Sequence, residues 1–110
     1  MRSLALAAVT LSFAGCAGPM ARAESQFAEG RYPDAKQAWM SLEAESRTWT
    51  DAKRAEYALY RGLTHAALGD REQAGVWLRK ATAIEETHSG SLSQENVLRL
   101  RVGMGSLGTE

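Results

Sequence analysis

The chain has one cysteine, Cys16, so no disulfide can form within it. It has no net charge either, with thirteen Lys and Arg against thirteen Asp and Glu. That balance argues against nucleic acid and against a polybasic membrane surface as partners. A spanning helix needs roughly 20 consecutive apolar residues. The run from Leu4 to Ala14 supplies eleven, interrupted by Thr10 and Ser12. Histidine is scarce: His65 and His88 lie 23 residues apart, on different elements. There is no Gly-rich phosphate loop, Ser-centred elbow or cysteine pair. No catalytic residue, metal site or cofactor is expected, and the chain does not read as an enzyme.

What is present begins with a targeting segment. Arg2 followed by the short apolar run fits the charged and hydrophobic regions of a secretory signal. Phe13-Ala14-Gly15-Cys16 resembles a bacterial lipobox, which implies cleavage before Cys16 and acylation of its thiol. With Ala17 rather than Asp next, that resemblance implies the outer membrane, on its periplasmic face. Ala21-Arg22-Ala23 offers a second cut, after Ala23, which would leave a soluble periplasmic protein. The expected organisation is a signal peptide over 1–15, a tether over 16–23, a helical domain over 24–107 and a tail over 108–110. Removing fifteen residues leaves 95, enough for one small domain.

The rest of the chain is patterned for helices. Ala55, Leu59, Leu63 and Ala66 recur at four, four and three residues, one stripe of a 3.6-residue helix. Gly69-Asp70 ends that helix and starts another, since Gly tolerates the left-handed conformation and Asp accepts from free N–H groups. Ala74, Leu78, Ala81 and Ile84 then form the second stripe. Two helices joined by so short a turn pack antiparallel, and the small residues Gly62, Ala74 and Ala81 allow a close approach.

A second copy lies upstream. Phe27 to Ala35 repeats the helix end, glycine turn and restart, with Pro33 suited to a first turn. Gly30 aligns with Gly69, Ala35 with Ala74 and Trp39 with Leu78, an offset of 39 residues. The polar stretch Glu45 to Thr50 reads as the extra length of connection between the copies.

These residues resemble the tetratricopeptide (TPR) family, whose repeat is about 34 residues long. The resemblance spans 22–86 and rests on Gly62, Gly69, Ala74 and Ala81, with His65 and Leu78 standing where the family prefers aromatic rings. It implies an all-α fold of two antiparallel helix pairs that binds proteins. In such arrays the first helix of each pair lines a concave groove, here Glu56, Leu59, Tyr60, Leu63, Ala66 and Ala67. An apolar groove of this kind suits a helix or an extended hydrophobic segment.

A C-terminal capping helix is expected beyond residue 91. Ser91 with Gln94 can form a capping box, and Ser93 is the other candidate N-cap. Val97, Leu100, Met104 and Leu107 form its stripe, while Gly103 and Gly105 are expected to fray its last turns. Trp39 is expected in the core, and Trp77 packs inward or against the cap. Trp49 either covers the joint between repeats or is exposed as a contact residue. His65 is read as packed and His88 as exposed; Glu29, Asp34, Glu43 and Glu45 are read as solvated. The expected role is an envelope lipoprotein that scaffolds another envelope protein, with a self-associating structural subunit as the alternative.

Overall fold

The computed structural model describes residues 18–108, so Cys16 and the expected signal segment lie outside the described residues. The fold is all-α, with no strand among the described residues. The described residues form six helices in order: α1 (Ala21–Ala28), α2 (Tyr32–Ser41), α3 (Glu43–Ser46), α4 (Asp51–Ala67), α5 (Arg71–Thr87) and α6 (Gln94–Gly108). None of them is long and apolar enough to cross a membrane.

Two glycine turns set the architecture. Gly30 and Gly69 have φ of 78° and 84°, a conformation that costs an L side chain steric strain. Around each, the same two backbone hydrogen bonds close the preceding helix. Arg31 N donates to Gln26 O and Gly30 N to Phe27 O; Asp70 N donates to His65 O and Gly69 N to Ala66 O. This is the Schellman arrangement, which satisfies the carbonyls left open at a helix end. Five and nine residues beyond each glycine stand Ala35 with Trp39 and Ala74 with Leu78, all fully buried. The internal correspondence is therefore one of backbone and burial as well as spacing.

Capping fixes the later helix starts. Thr50 Oγ1 accepts from Lys53 N at 3.3 Å, Asp70 Oδ1 from Gln73 N at 3.1 Å and Ser93 Oγ from Asn96 N at 3.2 Å. Ser93 is thus the N-cap of α6, and Ser91 instead donates its hydroxyl to His88 O. The expected connection over Glu45 to Thr50 begins inside the short helix α3 and continues as a turn that leads to Thr50.

The core has two linked parts. Met20, Ala23, Ala35, Trp39 and Tyr57 form one, with Phe27 and Trp49 packed against it. Leu59, Leu78, Ala81, Leu92 and Leu100 lead the other, with Leu63, Val97, Met104 and Leu107 on its edge. Tyr60 and Trp77 border both. Met20 and Ala23 are buried, so the packed body includes residues that the sequence assigned to the tether. Complete burial of a side chain the size of Leu59 or Leu78 contributes about 1.5–3 kcal/mol.

Helix α4 is central, touching α1, α2, α3, α5 and α6. Its contact with α5 is close at Gly62, and α6 lies over both. Gly103 is buried there, and a β-carbon on it would stand 3.1 Å from Leu63 and 3.2 Å from Leu78. Gly103, expected to fray the last turns of α6, also stands where that helix passes close to α4 and α5. The helix runs past Gly105 to Gly108, and Arg71 donates to the carbonyls of Ser106 and Leu107 near its end.

Candidate interaction face

One face of the molecule is built by α1, α4 and α6, with α4 in the middle. Successive turns of α4 present Glu56, Tyr60, Leu63 and Ala66 along it, as helical spacing requires. At one end is a hollow of about 440 Å³ bordered by Glu24, Phe27, Glu56, Tyr60 and Arg99. At the other is a shallower hollow of about 520 Å³ bordered by Leu63, Ala66, Leu98, Val102 and Gly103, with Arg99 common to both.

The acidic end has its own chemistry. Glu24 is pushed up to about 7, by burial first and then by the hydrogen bond with Glu56 and the charge on that neighbouring carboxylate. Two carboxyl groups can share a hydrogen bond only if one keeps its proton. The Arg99 guanidinium at this end donates to Asn96 at 2.9 Å and Glu95 at 3.0 Å. Tyr60 donates to Asn96 Oδ1 at 3.1 Å, which ties α4 to α6, and its ring meets Phe27 edge-on at 5.3 Å.

The apolar end is open. Leu98 is 57% exposed and Val102 73%, four residues apart on the outer side of α6. Beside them stand the half-buried Leu63 and Ala66 of α4. Of the six residues expected to line a groove, Glu56, Tyr60, Leu63 and Ala66 border this face. Leu59 does not: it is fully buried beneath α6, whose placement turns that part of the stripe into core. Ala67 is exposed at the end of α4, outside both hollows. Leu98, Val102 and Glu24 were not legible as site residues. An apolar pair spaced by four and offset from the Val97–Leu100 stripe was the available signal for the first two.

Gly30 and Gly69 form the turns; Ala35, Trp39, Ala74, Leu78 and Ala81 are buried, and Gly62 lies against Leu78. Trp39 donates its indole N–H to Thr64 Oγ1 at 3.0 Å. Trp49 packs edge-on against Tyr57 at 5.7 Å and covers the joint between the helix pairs.

A buried polar cluster occupies the opposite side of α4. Arg61, 5% exposed, donates to Glu43 Oε1 at 2.8 Å, to Tyr57 Oη at 3.0 Å and to His65 Nε2 at 3.4 Å. Its guanidinium lies 4.2 Å from the centre of the Trp77 ring. Glu43, expected to be solvated, is 42% exposed and also holds this cation; the hydrogen bond from Arg61 keeps its carboxyl below the ordinary range. His65 is buried, and desolvation followed by the charge of Arg61 lowers its pKa, so it packs as a neutral ring. Glu85 accepts from the backbone N–H groups of Gly90 and Leu92, both at 2.9 Å, and so orders the loop that carries His88. Among the described residues no group of His, Cys, Asp and Glu is arranged to hold a metal.

Compared with models of known protein families, with curated proteins and with solved structures, the chain matches none.

Proposed function

We propose that this chain is a protein-interaction module of TPR-like helix pairs, held at the periplasmic face of a bacterial outer membrane by acyl groups on Cys16. It binds a second envelope protein through the α4–α6 end of its open face. The observation that carries this reading is the exposure of Leu98 and Val102 beside Leu63 and Ala66. Large apolar side chains grouped at the surface mark interaction sites more often than scattered ones do.

Two features support the rest. The matching turns at Gly30 and Gly69, with alanines buried five residues later, are what a repeated helix pair requires. The burial of Met20 and Ala23 bears on the two candidate cuts. Cleavage after Ala23 would sever α1 and remove Met20 from the first core, whereas cleavage before Cys16 leaves both intact.

A second reading has one observation in its favour. Leu98 and Val102 on α6 stay uncovered among the described residues, and the same pair on a second molecule can cover them in turn. Another copy of the chain is then the occupant. In either case Leu98→Glu with Val102→Glu should leave helicity and thermal midpoint within a few degrees of the parent and abolish co-purification of the bound protein. Retention of the complex by the folded double variant would remove this face from consideration.

A further inference from the structure

A separate hollow of about 370 Å³ opens where α3, α4 and α5 meet. On α4, its residues Arg54, Tyr57 and Ala58 point away from Glu56, Tyr60 and Leu63, so it lies on the other side of the helix from the interaction face. Its inner surface is mostly apolar, with Tyr57, Ala58, Trp77, Ala83 and Ile84 beside Ser46. The two alanines leave the space, and the Tyr57 and Trp77 rings meet edge-to-face at 5.6 Å to wall it.

Its rim carries an excess of positive charge. Arg47, Arg54 and Lys80 stand around the opening, with Glu43 as the one acid among its lining residues. Glu43 is already claimed by the buried Arg61 at 2.8 Å, and Arg47 reaches the same carboxylate at 3.7 Å. Lys80 lies 5.3 Å from the centre of the Trp77 ring. Arg54 is paired with Asp51 at 2.8 Å, just outside the hollow. Counting Asp51 and Arg61, four cations face two carboxylates at this end of the molecule. The charges of Arg61, Arg47 and Lys80 all hold the Glu43 carboxyl low, which places the three in one local field.

We infer that this hollow is a binding site for a small organic anion, its apolar body against Trp77 and Tyr57 and its charged group between Arg47 and Lys80. Pockets of this size with an apolar interior and a few polar groups at the edge are typical of small-molecule sites. An anion there meets positive charge beside low-dielectric walls, where attraction is screened less than in open water. The inference is independent of the partner-binding face.

The test uses two probes of the same shape, 2-naphthoate and the neutral 2-naphthamide, titrated into the ¹⁵N-labelled protein. The three indole N–H signals report separately on Trp39, Trp49 and Trp77. The expected result is saturable movement of the Trp77 indole and the Ala58 and Ala83 amides with naphthoate. Naphthoate should bind about tenfold more tightly than the amide, and Lys80→Glu, on an exposed side chain, should remove about that factor while the spectrum stays folded. Equal binding of acid and amide, movement confined to Leu98 and Val102, or no saturable movement would each overturn the inference. If Lys80→Glu disturbs the fold, Arg47→Glu, on a side chain 72% exposed, supplies the same comparison.

Discussion

A β-carbon on Gly62 would stand 2.7 Å from both Cγ and Cδ2 of Leu78 and 3.1 Å from the Leu78 backbone nitrogen. The α4–α5 contact is therefore closed by a hydrogen atom on one side. Leu78 is fully buried and has no room to retreat. Gly62→Ala should destabilise the fold by about 1–3 kcal/mol, the range for overpacking, even though Ala improves helix propensity by about 1 kcal/mol. Urea denaturation measures this. A midpoint equal to or above that of the parent would mean that the two helices do not meet there.

The Arg61–Glu43 pair makes a second prediction. Removing the carboxylate leaves a guanidinium that is only 6% exposed without its charged partner. Because Glu43 itself is 42% exposed, the loss falls short of that for a fully buried pair. Glu43→Gln should cost about 1–3 kcal/mol at neutral pH. A carboxyl held below its ordinary value stabilises the fold above that value and loses the contribution as pH falls through the folded one. Denaturation of the parent and Glu43→Gln should therefore converge in acid; a constant gap between them would contradict the pairing.

The Glu24–Glu56 pair works in the opposite direction. Glu24 rises from 4.5 to about 7, so the folded chain keeps a proton that the unfolded chain has released. Stability from this group is complete below about 4.5 and declines as pH rises through 7. Glu56, Tyr60, Glu95 and Arg99 are the charged or titratable neighbours that share this corner. Glu24→Gln should flatten the decline between pH 5 and 8 and raise the thermal midpoint at the alkaline end. An unchanged pH profile would show that the two carboxyls do not interact.

Leu59 and Leu98 test the division between core and surface. Leu59→Glu places a charge in a fully buried position and should abolish cooperative unfolding. Leu98→Glu, at a site 57% exposed, should leave the unfolding transition intact. Circular dichroism melts of the two variants decide it, and similar melts would contradict the placement of α6.

The fold was legible where local physics alone fixes it. Gly30 and Gly69 announced their turns because the left-handed backbone favours glycine, and Ala74, Leu78 and Ala81 announced a stripe by spacing. Leu59 was misplaced because a stripe's edge becomes core or surface according to where a distant helix lies. The separation of Arg61 from Glu43, 18 residues in sequence, hid their pairing, which depends on the short helix α3. Met20 and Ala23 were hidden because a small apolar stretch after a signal-like segment reads the same whether it is a tether or a helix. Gly103 looked like a helix breaker, since close approach to Leu63 and Leu78 is a property of the tertiary arrangement.

Binding of a protein at the α4–α6 end of the open face is the principal proposal. A photo-activated cross-linking residue at position 102, in the full chain inside cells, tests it most directly, with position 53 on exposed α4 surface as the control. A discrete adduct is expected from position 102 and none from 53. A mass of two chains points to a second copy, and any other mass to a different protein. No adduct from position 102, or the same adducts from both positions, would contradict the account.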